Sequence, residues 1–479
     1  MVFGLWSERT VTLRACLREF LNRSWEGVLA RKPLVGIAII LALVMIIPVL
    51  ALWQQNPLWQ YTTNGTTNAV AISSDGSYLA TGVQTGQNSG RILLFNRAGT
   101  LLWSRTVDRA ISSISLSNNG SYIAASGFQL VGTAPAAVIY ENGAVYYFSR
   151  DGTQLWNYTT PFDQLNGDRP PIFGLQLSSD GSRTIAETPS SILCFDYRGQ
   201  ILWNYNSTTR GLIHMAASSN ASYVALFDTQ LRLLNGQGKT LWNYSGVLNL
   251  VQSLVITPDA RYVAVGTAID GTHGSLYLFN NTGNVLWSRS ADSNPLPIAF
   301  SGDENTIVIG TNYHIIAYSI QGSQLWSYSA PPANALAVTS DGSYTLAGLW
   351  ADWQQSILIL NSQGHVVWGK PAGEIHDVVI SSDGSYAAVA AGPSDTGPFS
   401  FNSAAVYFIP SPRAVVTNTG SIYSLLYFTS TLDIIPTASI FLVIPVAYPV
   451  IIITRKRLRI RREQEGSAKD TNRQDPESQ

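Results

Sequence analysis

Cysteine is nearly absent from this 479-residue chain, and Cys16 and Cys194, the two present, cannot build a disulfide framework or a four-cysteine zinc site. Charge is scarce as well. Asp, Glu, Lys and Arg make up 12% of residues against 46% hydrophobic ones, which excludes a disordered or fibrous protein. The five histidines, His214, His273, His314, His365 and His376, form no H-E-x-x-H motif and no i,i+4 pair, so no metal site is expected. No Walker loop, G-x-S-x-G elbow or dinucleotide fingerprint accompanies a strand-to-helix unit. The chain therefore reads as a non-enzyme without a cofactor, a metal or catalytic residues.

The net charge of -1 is unevenly spread: residues 1–32 hold six Lys/Arg and three acids, residues 454–479 hold eight and five, and the stretch between holds 15 basic and 22 acidic residues. That middle repels phosphate backbones, so nucleic acid is not an expected partner. Residues 34–53 read LVGIAIILALVMIIPVLALW without a charge, enough for about 30 Å of helix, one bilayer core. Arg9, Arg14, Arg18, Arg23, Arg31 and Lys32 precede that run, and the positive-inside rule puts the N-terminus in the cytoplasm. A cleaved signal peptide ending near Ala51 is the rival; the long lead favours a retained anchor. A second apolar run, 433–454, contains Pro436, Pro445 and Pro449 and leads into the basic cluster RKRLRIRR at 455–462, a cytoplasmic stop. Two spans with both ends inside put residues 54–432 on the outer side of a cell membrane, extracellular or periplasmic. The lead, 1–33, is expected to lie along the inner surface through Leu13, Leu17, Phe20, Leu21 and Val28, and the tail beyond the basic cluster to be disordered.

Between the spans the sequence repeats eight times. One motif places an apolar residue, a glycine four residues on and a tryptophan four beyond that, as in Phe95, Gly99 and Trp103. Its tryptophans are Trp103, Trp156, Trp203, Trp242, Trp287, Trp326 and Trp368, with Trp59 standing before the first unit. A second motif interleaves with it: SSDGSY at 73–78, then SNNGSY, SSDGSR, SSNASY, TPDARY, SGDENT, TSDGSY and SSDGSY. Trp59 and Trp368 lie 309 residues and seven steps apart, a mean near 44, the length of a β-propeller blade. Residues 68–73 and 78–83 flank an Asp-Gly turn, and 91–96 and 101–106 flank the next, so each unit resolves into four short strands. The predicted fold is an all-β, eight-bladed propeller over 57–417, joined by a linker at 418–432 to the second span. The tryptophans are read as packing between neighbouring blades, since one ligand cannot touch all eight.

The first hairpin resembles the S-P-D-G-x-x-L-A element of WD-repeat-like propellers, and the second resembles the T-G-x-x-x-W docking motif of pyrroloquinoline-quinone-like propellers, with Gly99, Gly152, Gly199, Gly238, Gly283, Gly322 and Gly364 at its glycine. The resemblance covers about 350 residues and implies a fold shared by enzymes, scaffolds and receptors. A quinoprotein dehydrogenase, or a hydrolase, is the enzyme alternative it raises; the vicinal cysteine pair common in quinoproteins is missing. An accessory subunit of a membrane assembly or transport complex, like the eight-bladed lipoprotein of the outer-membrane barrel assembly machinery, is the other. The amino end also looks a little like that of dipeptide-type permeases over some 45 residues.

Calling the strands of a blade A to D outward from the axis, only seven tryptophan-bearing D strands follow their own blade. The stretch around Trp59 is predicted to supply the eighth and close the ring; the competing candidate is 413–417. Both spans then attach to the face of the tight A–B and C–D turns. The opposite face carries the long, irregular connections where binding usually resides: 128–143 and 159–171 in blade 2, the latter with Asp163, Asp168 and Arg169; Asp270 and His273 in blade 5; Trp350, Asp352 and Trp353 in blade 7; and Asp395 and Phe399 in blade 8. These residues are the candidate ligand-binding set, suited to an extracellular or membrane protein or to carbohydrate. Between the spans seven N-x-S/T sequons, at Asn64, Asn119, Asn157, Asn206, Asn220, Asn243 and Asn280, permit glycosylation, but Asn157 and Asn243 stand beside docking tryptophans, where burial would block it.

Overall fold

The computed structural model describes residues 57–410 apart from 135–136, 165–166, 208–213, 249, 271–272, 351–355 and 394–403. These residues form eight four-stranded antiparallel sheets, a β-propeller. Among the described residues no helix is long and apolar enough to cross a membrane; both apolar runs of the sequence, and the candidate closing strand at 413–417, lie outside them.

Blade 1 shows how sequence becomes sheet. Its strands are Thr66–Ile72, Tyr78–Gly86, Ser89–Asn96 and Leu101–Val107, bonded in that order. The middle two are covered on both faces, burying Leu79, Ala80, Ile92, Leu93, Leu94 and Phe95, which explains their unbroken apolar runs. The outermost strand alternates instead, because one face meets the next blade and the other meets solvent.

The S-x-D-G-S turn closes each A–B hairpin through its own side chains. Ser73 Oγ donates to Asp75 Oδ1 at 2.8 Å, Ser77 N–H donates to the same oxygen at 2.9 Å, and Tyr78 N–H donates to Ser73 Oγ at 3.0 Å. Burial acts to raise the Asp75 carboxyl, but the hydrogen bonds from Ser77 and Ser73 outweigh it and hold the group at about 2. Asn119, Asp180, Asn220, Asp259, Asp303, Asp341 and Asp383 play the same part in the other blades.

These turns also join blade to blade. Ser382 N–H donates to Ser74 O, Ser74 to Asn118 O, Asn118 to Ser179 O, Ser179 to Ser219 O and Ser219 to Pro258 O, at 2.7 to 3.1 Å. Proline has no N–H to pass the series on. Between blades 5 and 6 the Arg261–Glu304 ion pair, at 3.6 Å, stands at this level, and Asp303 N–H and Ser340 Oγ carry the links to blades 7 and 8.

Ring closure uses both ends of the described chain. Trp59–Thr62 pairs with Ala405–Pro410, Trp59 opposite Phe408 and Thr62 opposite Ala405, so blade 8 takes its outermost strand from the N-terminal side. Trp59 stacks on Phe408 at 5.1 Å, meets Phe95 of blade 1 at 5.3 Å, and donates its Nε1 to Arg97 O at 2.9 Å. With Trp59 opposite Phe408 and Tyr386 opposite Pro410, residues 57 and 410 both leave the ring on the tight-turn side.

One expectation is corrected. Residues 128–143 are not an irregular loop: strands B and C of blade 2, Tyr122–Ala134 and Ala137–Ser149, run on as a two-stranded ribbon with register shifts after Gly127 and Leu130. The segment QLVGTA–AVIYEN keeps enough β-branched and aromatic residues to pair with itself.

Candidate binding face

Two surfaces of the ring differ in kind. The tight-turn face is made of short, internally bonded turns. The opposite face, formed by the B–C connections and the D–A links, carries large exposed apolar side chains: Phe162, Val247, Leu250, Ile269, Tyr313 and Trp350 are between 51% and 87% exposed. At the root of the blade 2 ribbon, Phe128, Tyr140 and Phe173 pack edge to face at 4.7 to 5.9 Å, and Asn88 of blade 1 accepts Leu130 N–H at 2.8 Å, so the ribbon has a fixed base.

The link that holds Asp163, Asp168 and Arg169 folds on itself. Asp163 N–H donates to Asp168 O and Gly167 N–H to Asp163 O, both at 2.7 Å. Arg169 gives its guanidinium to Thr160 O at 3.3 Å and accepts Asn142 N–H at 2.8 Å, tying the link to the ribbon. Asp270 and His273 face each other across the tip of the blade 5 B–C hairpin. Trp350 is anchored through its N–H to Pro332 O at 2.9 Å while its side chain stands exposed. Asp352, Trp353, Asp395 and Phe399 lie outside the described residues, as does the side chain of Asp270. The described candidates, Asp163, Asp168, Arg169, Asp270, His273 and Trp350, are spread over blades 2, 5 and 7.

The apolar side chains at Phe162, Val247, Leu250, Ile269 and Tyr313 were not singled out from the sequence; each is a large hydrophobic residue in or beside a connection, the one signal available. A pair also missed is His314 with Asp292, Nδ1 to Oδ2 at 2.5 Å, each roughly two-thirds covered. Among the described residues no three His, Cys, Asp or Glu side chains converge as a metal site would need. A groove of about 580 Å³ on the tight-turn side, lined by Tyr78, Leu102, Trp103, Tyr122 and Arg150, is the open end of a blade contact: Arg150 already lies over Tyr78 at 4.5 Å and donates to Asn119 O and Gly120 O.

The tryptophans sit between blades. Seven of the indoles lie on the C–D turn glycine of the next blade, Trp59 on Gly99, Trp103 on Gly152, Trp156 on Gly199, and so on to Trp326 on Gly364. Those glycines have φ between 74° and 84°, and a Cβ there would stand 2.7 to 3.0 Å from the ring. The indole N–H completes the contact by donating to a carbonyl of the same turn, as Trp103 does to Arg150 O at 2.7 Å. The tyrosine of S-x-D-G-S-Y repeats the device closer to the axis: Tyr386 lies on Gly76, Tyr78 on Gly120 and Tyr122 on Gly181. Where the next blade offers Ala260 instead, Tyr223 is 36% exposed.

Two part-buried carboxyls occupy one quasi-equivalent place between innermost strands. Asp377, four residues before Ser381, accepts Val70 N–H of blade 1 at 3.0 Å. In blade 3 the matching residue is Gly174, and the carboxyl of Glu187 fills the vacated space, its Oε2 lying 2.8 Å from where a Cβ at Gly174 would stand, and accepts Met215 N–H of blade 4. Burial pushes Asp377 up to about 7 and Glu187 up to about 8, only partly opposed by the backbone N–H each accepts. Burial likewise raises the Cys194 thiol, in a covered strand of blade 3, to about 12.

The family model described as outer membrane protein assembly factor BamB matches residues 141–296, from the third strand of blade 2 to the link into blade 6. No curated protein matches the chain. Among solved structures, Sqt1 from Chaetomium thermophilum is 12% identical, with a TM-score of 0.57 over 75% of this chain and 99% of that one. The same protein bound to the N-terminus of the ribosomal protein L10 gives 12%, 0.56, 75% and 100%. The C-terminal WD40 domain of Sif2 gives 12%, 0.54, 74% and 98%. At this identity the likeness is one of fold, and it supports a propeller with both PQQ-like and WD40-like repeats.

Proposed function

We propose that this chain is a membrane-tethered, two-pass protein whose propeller lies outside the bilayer and works as a non-catalytic docking module through the face of B–C connections and D–A links. The observation that carries the reading is that the five most exposed large apolar side chains among the described residues, Phe162, Val247, Leu250, Ile269 and Tyr313, lie in or beside the connections of that face, with Trp350 among them, against a tight-turn face of hydrogen-bonded turns. The tether argument supports it. Residues 57 and 410 leave the ring on one side, and the apolar run at 34–53 ends three residues before the described chain begins, so the tight-turn face would lie toward the membrane. A structural neighbour bound to the N-terminus of another protein is an example of a ring of this kind holding a terminal segment.

A second reading, an accessory subunit of a membrane assembly, is favoured by the match of residues 141–296 to a barrel-assembly factor. Both call for a protein partner, and an enzyme acting outside the cell is the rival class. The test is copurification from detergent-solubilised membranes of the intact chain and of a Phe162→Ser, Tyr313→Ser, Trp350→Ser variant, with Tyr197→Ser on the tight-turn face as control. Partner recovery is expected to fall at least 10-fold for the triple variant, the loss of roughly 1.4 kcal/mol or more, and to hold for the control. Equal recovery from all three removes the case for this face.

A further inference from the structure

Every blade ends in a strand whose outer edge has no neighbour in its sheet, and such an edge invites pairing between molecules unless it is blunted. The residue before the docking tryptophan makes matters worse: Leu58, Leu102, Leu155, Leu202, Leu241, Leu286 and Leu325 are 43% to 53% exposed. In blades 1, 5 and 7 the same strand brings a cation two residues after the tryptophan, Arg105, Arg289 and Lys370. In blades 2, 3 and 4 it holds no charge and reads QLWNYT, ILWNYN and TLWN, each with asparagine next to the tryptophan; blades 6 and 8 have neither device.

Two of those asparagines are followed two residues later by a hydroxyl: Asn157-Tyr158-Thr159 and Asn243-Tyr244-Ser245. The structure reverses the expectation that the docking tryptophan buries them. Asn157, Thr159, Asn243 and Ser245 are all exposed, because alternation along a rim strand turns the tryptophan and tyrosine inward and the asparagine and hydroxyl outward. Tyr158 and Tyr244 pack on Phe195 and Phe279, each at 5.0 Å, and so anchor the segment without covering it. By contrast Asn119, Asn220 and Asn280 spend their carbonyls inside turns, accepting backbone N–H groups at 2.9 to 3.1 Å. The Asn243 amide makes one solvent-facing bond, Nδ2 to Gln230 Oε1 at 3.1 Å, and Asn157 accepts a long one from Gln154 at 3.5 Å.

We propose that Asn157 and Asn243 are acceptor sites for N-linked glycans that shield the uncharged rim edges of blades 2 and 4. The donor is an oligosaccharide linked to a lipid diphosphate, brought by a membrane oligosaccharyl transferase. A bond forms between Nδ2 and the anomeric carbon, the anomeric carbon–oxygen bond to the diphosphate breaks with its electron pair leaving on the lipid diphosphate, and one amide proton is released. The inference rests on the propeller lying outside the membrane, as proposed above.

The experiment uses the full chain purified from membranes of its own organism and read by peptide mass spectrometry. Peptides holding Asn157 and Asn243 are expected to carry added sugar mass, while Asn204, at the matching place in blade 3 but followed by Tyr205 and Asn206, stays bare, as read in an Asn206→Gln chain because Asn206-Ser207-Thr208 is a sequon on the same peptide. Asn157→Gln and Thr159→Ala should each remove the same mobility increment, as should Asn243→Gln and Ser245→Ala. Bare Asn157 and Asn243 overturn the proposal. Labelling Lys239 on intact cells with a membrane-impermeant amine reagent separates the two premises: a labelled lysine with bare asparagines defeats the glycan sites alone, and an unlabelled lysine with bare asparagines defeats the outside placement with them.

Discussion

Asp377 shows how one side chain can set the pH response of a large ring. Its carboxyl, raised to about 7 by burial, is neutral in the folded protein over a range where the unfolded chain, near 3.8, has already ionised. The stability that this neutral form contributes is fully present below the unfolded value and is lost as pH rises through about 7. Asp377→Asn keeps the packing without the titration. The variant's melting temperature, relative to the natural chain's, is expected to climb between pH 5 and pH 7.5, on a slope of at most about 1.4 kcal/mol per pH unit, and thermal melts across that window read it directly. A flat difference would mean that solvent reaches the group. Glu187 should extend the same trend to about 8. Neither carboxyl stood out in the sequence, where Asp377 is one acid in an ordinary strand and Glu187 works only because Gly174 leaves room.

At the scale of the element, the repeating contact is tryptophan on glycine. Gly199 has φ of 82°, and a Cβ there would sit 2.7 Å from Trp156. Gly199→Ala therefore meets backbone strain and a clash at once, and is expected to destabilise by about 2 to 4 kcal/mol; Trp156→Ala, which empties a half-buried docking place, should cost about 3 kcal/mol. The double variant is expected to cost clearly less than the sum, since the clash disappears with the ring. Denaturant midpoints measure this, and strict additivity would mean that the two residues do not share an interface. The four-residue spacing from Gly199 to Trp203 was plain in the sequence because the hairpin is local. The partner of each glycine was not: Gly199 receives Trp156 from the preceding blade.

For the whole molecule the decisive feature is closure. Trp59–Thr62 is the shortest strand of its sheet, and it holds blade 8 to the ring through four residue pairs and one indole set between Phe408 and Phe95. Trp59→Ala is expected to raise amide hydrogen exchange in Trp59–Thr62 and Ala405–Pro410 by ~100-fold, the equivalent of about 3 kcal/mol, while blades 3 to 5 keep their protection. A uniform rise around the ring would show that closure is no separate unit of stability. The hydrogen-bonded series from Ser382 to Pro258 works at the same scale, and Pro258 marks the step where a backbone donor is missing.

Sequence alone determined the number of blades, the turn chemistry and the orphan strand at Trp59, because each depends on residues a few positions apart or on a count that leaves one strand over. The ribbon of blade 2 was misread as a loop, since pairing across 128–143 depends on register and not on a turn signal. The apolar face, the carboxyl stations and the exposure of Asn157 and Asn243 were decided only by the tertiary structure. Curvature of the ring sets which side of a rim strand meets the next blade and which meets water, and that angle is a property of eight packed sheets that no single repeat contains.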